Sequence, residues 1–102
     1  MIVRMWRTQV EASRIDEYEQ FAREVSLPMF RAQPGYAGAI MGRDGTDCVV
    51  VTLWCSERDV AALETSPFYR STVQQILARG FLMGEQVTTA YGTHLIDGLA
   101  GD

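Results

Sequence analysis

The chain has 102 residues, 47% hydrophobic and 22% charged, with a formal net charge of −4. That length predicts one domain with one modest core, and the balance excludes a disordered chain. The nine basic residues are all arginine and are scattered along an acidic chain, which argues against a nucleic-acid partner, since phosphate binding needs clustered Lys and Arg.

The alternating, β-rich stretch IVRMWRTQVE predicts a first strand over Ile2 to Glu11. A helix is expected next, with Ser13 as N-cap and an apolar face of Ile15, Tyr18, Phe21, Ala22 and Val25 at helical spacing. Pro28 lacks an amide hydrogen and should kink or end that helix near Ser26–Leu27. A short second segment then leads to the Pro34-Gly35 turn.

The following stretch reads as a hairpin: a strand over Tyr36 to Arg43, an Asp44-Gly45 turn, and a strand over Cys48 to Cys55. Ser56 is a good cap for another helix. The TSPFY stretch interrupts it, with Ser66 as a second cap and Pro67 at a first helical position. The renewed helix shows Phe68, Thr72, Val73, Ile76 and Leu77 on one side and stops at Gly80. A last strand is expected over Glu85 to Ile96, closing a domain of residues 1–97 and leaving 98–102 as a frayed tail.

The order β-α-β-β-α-β is the ferredoxin-like α+β pattern, a four-stranded antiparallel sheet with helices on one face. Such a sheet leaves its second face open. Yet both faces of the first and third strands carry bulk, with Val3 and Met5 opposing Ile2 and Trp6, and Val49, Val51 and Leu53 opposing Val50 and Trp54. A strand apolar on both faces is buried on both. A homodimer packed sheet to sheet is therefore expected.

Cys48 and Cys55 lie seven positions apart in one predicted strand. They fall on opposite faces, on the order of 23 Å apart, so they cannot pair within it. No Cys/His metal spacing occurs, and no metal is expected. The N-terminal MIVRMWRTQVEA shows no signal pattern and no apolar run suits a membrane. These features together suggest a soluble protein of a reducing, cytoplasmic compartment.

Three stretches carry a resemblance: RMWRTQV, DEYEQFAREVSLPMFRAQPGYAG, and VVTLWCSERDVAALETSPFYR. Together, in that order, they resemble the antibiotic biosynthesis monooxygenase domain of the dimeric α/β-barrel superfamily, over about Ile2 to Ile96. The resemblance implies a pocket between the sheet and its helices in each subunit, with the third strand's tryptophan on its wall. It also implies an oxygenase that uses no cofactor, or a dimeric ligand-binding or structural module of the same fold. The pattern of haem-degrading relatives breaks at two places: Trp6 stands where they carry an Asn, and Val73 stands at about their iron-ligating His. Haem chemistry is not expected.

Trp54 and Trp6 are the candidate walls for a small aromatic substrate, with Phe30 and Phe68 as further substrate-binding positions. For Trp54 a plain core role, its indole N–H bonded to the backbone, remains open. His94, the sole histidine, and Tyr69, at the helix break, are candidate catalytic groups; Arg4 is the candidate stabiliser of a developing anion. Tyr36, Tyr91 and Arg7 are weaker candidates of the same kinds.

Overall fold

The structure is a computed structural model that describes residues 1–99. The expected last three positions of the tail lie outside the described residues. The chain folds as β1 (Ile2–Val10), α1 (Ile15–Phe21), α2 (Leu27–Arg31), β2 (Tyr36–Asp44), β3 (Asp47–Trp54), α3 (Glu57–Thr65), α4 (Pro67–Ala78) and β4 (Leu82–Gly92). The strands form one antiparallel sheet in the order β2-β3-β1-β4. This is the expected ferredoxin-like α+β fold.

Alternation along the two central strands fixes which face the helices cover. Ile2, Arg4, Thr8 and Val10 of β1 are buried, as are Cys48, Val50, Thr52 and Trp54 of β3. The helices contribute Tyr18, Phe21, Met29, Phe30, Leu63 and Ile76 to the same layer. That layer divides into two clusters. One gathers Ile2, Met29, Phe30, Val50, Trp54 and Leu63; the other gathers Val10, Tyr18, Phe21, Cys48, Ile76 and Phe81. Half-buried Trp6 packs against both.

The opposite face is uncovered in the single chain. Met5, Val51 and Ile40 lie side by side across β1, β3 and β2. Ile40, Val87 and Tyr91 on this face are each at least half exposed, at 55%, 50% and 58%.

Three local expectations are corrected, and the one at Pro28 is sharpened. Ser13 caps nothing: it sits inside a 3₁₀ turn, Ala12–Arg14, and the start of α1 is tied instead by Arg14, which donates to Glu17 at 3.0 and 2.9 Å. The kink or end expected near Ser26–Leu27 falls at a boundary between two helical segments, with Pro28 in the first turn of α2. Ala22–Ser26 widens into a π-helical turn, in which the Leu27 N–H reaches back to Ala22 O. Widening of this kind relieves the clash a proline ring makes with the preceding turn. Asp44 pairs with Asp47, so the hairpin loop is Gly45-Thr46 rather than Asp44-Gly45, with Gly45 at φ 60°, as a turn with glycine at its first central position requires. Finally, β4 runs three residues earlier than expected and stops at Gly92. Its partner β1 begins at Ile2, and Thr93 closes the pairing by donating both its N–H and its hydroxyl to Met1 O at 2.9 Å. Beyond that point there is no strand left to pair with.

The two helix caps after β3 do match expectation. Ser56 Oγ accepts from the Asp59 N–H at 3.2 Å, and Ser66 Oγ accepts from the Tyr69 N–H at 3.4 Å. Pro67 occupies the first turn of α4.

Candidate active site

The seam between the two core clusters is not filled. A cavity of about 110 Å³ lies there, floored by Arg4, Trp6 and Val50 of the sheet. Met29 and Phe30 of α2, Tyr18 of α1, and Tyr69, Thr72 and Ile76 of α4 complete most of its wall. Half-buried Ser26 and Gln86 and exposed Leu77 also line it and mark the side nearer solvent.

Each polar group in it is positioned by a local feature of the sequence. Arg4 falls on the helix-covered face because it shares parity with Ile2 and Thr8, and it is 3% exposed. The Ser66-Pro67 start of α4 sets Tyr69 one turn into the helix, with its N–H held by the cap. Arg4 Nη2 donates to the Tyr69 hydroxyl at 2.8 Å, and its guanidinium carbon lies 5.3 Å from the centre of that ring. Glu64 Oε2 approaches Arg4 Nε at 3.5 Å from a half-exposed side chain. That approach lacks hydrogen-bond geometry, and Arg4 Nε is left buried without a partner. Arg4 is the sole charged residue of the lining among the described residues. Burial holds the Tyr18 hydroxyl well above the usual phenol range, so it stays protonated. Thr72 spends its hydroxyl on Phe68 O at 2.9 Å.

The structure brings together four of the residues singled out in sequence: Arg4, Trp6, Phe30 and Tyr69. It does not bring three others. Trp54 is fully buried in the core beside the cavity, with its indole N–H donating to Thr52 Oγ1 at 2.7 Å. Phe30 and Tyr36 pack edge-on against it at 6.3 and 5.9 Å. Phe68 is 50% exposed, on the outer side of α4. His94 lies past the end of β4, exposed and away from the lining. Among the weaker candidates, Tyr91 and Arg7 belong to the open sheet face, where the register sets Tyr91 beside Val3 and Arg7 beside Val87.

Sequence reasoning missed Tyr18 and Gln86. A phenol inside the apolar stripe of α1 was the available signal for Tyr18. Gln86 fell inside the expected last strand, but which face of that strand meets the helices follows only from its register with β1. Among the described residues no group of three or more His, Cys, Asp or Glu is arranged to hold a metal ion, and no helix is long and apolar enough to cross a membrane. Cys48 is buried and Cys55 exposed, both as free thiols.

No family model matches the chain, and no curated protein matches it. Solved structures do. SnoaB, a cofactor-independent oxygenase from Streptomyces nogalater, is 14% identical with a TM-score of 0.74, covering 94% of this chain and 95% of its own. Rv0793 from Mycobacterium tuberculosis is 14% identical with a TM-score of 0.75, covering 95% of this chain and 98% of its own. A structure named antibiotic biosynthesis monooxygenase is 14% identical with a TM-score of 0.73, covering 91% and 98%. At such identities the likeness is one of fold, over nearly the full length of both chains.

Proposed function

We propose that the chain is a cofactor-independent monooxygenase that oxidises a small phenolic or hydroquinone-type aromatic with O2. The observation that carries this reading is the apolar cavity with one buried Arg–Tyr pair in its wall. It is supported by the shared fold with SnoaB, which is named a cofactor-independent oxygenase. Fold alone hosts many activities, so the cavity bears the weight.

The chemistry needs little from a protein. The anion of an electron-rich phenol gives one electron to O2, and recombination of the resulting radicals forms a carbon–oxygen bond. For a phenol the balance is phenol plus O2 to quinone plus water: one oxygen atom becomes a carbonyl, the other leaves as water. In this reading Trp6 and Phe30 hold the ring, Arg4 stabilises the anion by fixed charge, and Tyr69 orients its oxygen. Trp54 and Phe68 take no part as walls, and His94 takes no part as base.

A second reading, a non-catalytic binding module of the same fold, is favoured by one observation: the lining contains no carboxylate and no imidazole. Oxygen uptake with a panel of hydroquinones and polyphenols separates the two. The oxygenase reading expects uptake that Arg4→Met abolishes and His94→Ala leaves within twofold of wild type. Absence of uptake across the panel, with ligand binding retained, establishes the module instead.

The working unit in this proposal is a homodimer joined through the open sheet face. The support is the run Met5, Val51 and Ile40 across three strands, together with exposed Val87 and Tyr91. Large exposed apolar patches mark interaction sites. Sedimentation equilibrium is expected to give a dimer for wild type and a monomer for Val51→Arg; a monomeric wild type at micromolar concentration removes this element of the proposal.

A further inference from the structure

We propose that the cavity selects its ligand as a preformed oxyanion on a single aromatic ring, a phenolate or an arene carboxylate, and does not itself remove the proton. This rests on reading the cavity as the ligand site, and it goes further by fixing the ligand's size and charge.

Size follows from volume. The cavity measures about 110 Å³, and a dry apolar cavity of roughly 150 Å³ is one that takes benzene. The space is on the scale of a single ring between Phe30 and Ile76, and the rest of a larger ligand would lie toward the open side at Ser26, Leu77 and Gln86.

Charge follows from hydrogen-bond accounting. Arginine has five N–H donors and no acceptor. Nη2 is spent on the Tyr69 oxygen at 2.8 Å, while buried Nε makes no hydrogen bond and has only Glu64 Oε2 near it, at 3.5 Å. Because the Tyr69 oxygen accepts from Arg4, and Arg4 cannot accept in return, the Tyr69 hydroxyl hydrogen is free for another acceptor. The buried Nε–H and the Tyr69 hydroxyl hydrogen thus have no hydrogen-bond acceptor among the described residues, and the lining carries no carboxylate. A neutral ring leaves the Nε–H unpaired, whereas an oxyanion satisfies donors of this kind with the stronger, charge-assisted bond. Glu64 does not fill that place: at 3.5 Å and half exposed, it screens Arg4 from outside the lining.

The proton follows from what is missing. The titratable groups facing this end of the cavity are Arg4 from β1, Tyr69 from α4, Tyr18 from α1 and, behind Arg4, Glu64 from α3. The helix α2 and strand β3 offer Met29, Phe30 and Val50, and β4 offers the amide Gln86. The lining holds no carboxylate and no imidazole to take up a proton. Ionisation therefore takes place in solution, and affinity tracks the ligand's own titration.

The test uses 4-nitrophenol, whose phenolate absorbs in the visible, with benzoate as the carboxylate arm and nitrobenzene as the neutral control. The expected results on wild type are phenolate absorbance appearing at a pH about one unit below the free compound's midpoint, and competition by benzoate. Arg4→Met should weaken both anions tenfold or more and change nitrobenzene affinity less than twofold. Tyr69→Phe, which keeps the ring beside Arg4, should weaken the anions severalfold and stands in if Arg4→Met does not fold. Benzoate displacing 4-nitrophenolate supports the shared oxyanion site; binding of the phenolate alone narrows it to phenols. Equal affinity for nitrobenzene, no acid shift, or anion affinity indifferent to both substitutions overturns the proposal. Oxygen uptake plays no part in this readout, so a protein that binds anions and consumes no O2 refutes the oxygenase reading while leaving this one standing.

Discussion

Replacing Trp54 separates a core role from a pocket role. Its indole is fully buried, donates to Thr52 Oγ1 at 2.7 Å, and meets Phe30 and Tyr36 edge-on. Trp→Ala at such a site costs about 3–5 kcal/mol. Trp54→Phe keeps a ring for the two aromatic contacts, so the expected loss is about 2 kcal/mol, from the smaller ring and from a Thr52 hydroxyl that loses its donor. Thr52→Val strands the indole N–H instead and should cost about 1–3 kcal/mol. Removing both partners leaves no stranded group, so the double variant should be about 1 kcal/mol more stable than the two single losses add to. Urea unfolding followed by far-ultraviolet circular dichroism reads this in every variant, at one protein concentration because association shifts apparent stability. With a slope of about 1–3 kcal/mol per molar urea for a small protein, a loss of 2 kcal/mol moves the midpoint by about 0.7–2 M. Since Trp54 is absent from the cavity lining, 4-nitrophenol affinity should change less than twofold. A Trp54→Phe protein of wild-type stability that has lost ligand binding refutes this reasoning and returns Trp54 to the wall.

Gly35→Ala should cost about 2–3 kcal/mol. Gly35 has φ 81°, and a Cβ there collides with the Asp59 side chain that forms part of the α3 cap; Gly45→Ala, with φ 60° but open space around it, should cost about 1 kcal/mol less by the same urea assay. Burial holds the Tyr18 phenol and the Cys48 thiol above their usual ranges, so the folded chain keeps protons that the unfolded chain releases above about pH 8.5 for the thiol and about pH 10 for the phenol. Their stabilising effect is full below those values and is lost as pH rises past them; the urea midpoint should fall above about pH 10, and less steeply in Tyr18→Phe. Arg4→Met should unfold at the same urea concentration as wild type or a higher one, and a loss of about 2 kcal/mol or more counts against the account of Arg4 given below.

The fold was legible because its signals are local and repeated. Alternation in β1 and β3, the two serine caps at Ser56 and Ser66, and the break at Pro67 each depend on a few neighbouring residues. The errors fell where a distant partner decides. The end of β4 is set by where β1 begins, and the form of the break before Pro28, a π turn, is one that no periodicity reveals. The site was legible in part. Parity along β1 puts Arg4 and Trp6 toward the helices, and the Ser66-Pro67 cap puts Tyr69 there too. Trp54 shares their face of the sheet, yet it lies under Phe30 and Tyr36 rather than in the seam. Alternation along a strand fixes the face but not the depth, because depth depends on which distant side chains, here Phe30 and Tyr36, pack against the residue. His94 was misplaced for the same reason as the strand end.

Arg4 is the residue that a core built for stability alone would lack. Every other buried position on the helix-facing side of β1 and β3 is apolar, a threonine or a cysteine. Arg4 sits among them on a central strand, opposite Thr52 and Ala90. Desolvating a charge costs several kcal/mol, and attraction repays it only when the partners and hydrogen bonds are good. Here one bond to Tyr69 is good, the approach of Glu64 is long and half in water, and Nε has none. Methionine at this position keeps an unbranched side chain and removes that cost, at the loss of the Tyr69 bond and its cation–π contact. On the proposed reading, this costly arginine beside an unfilled cavity is a charge held ready for a ligand and stabilised fully only when the ligand's own charge arrives.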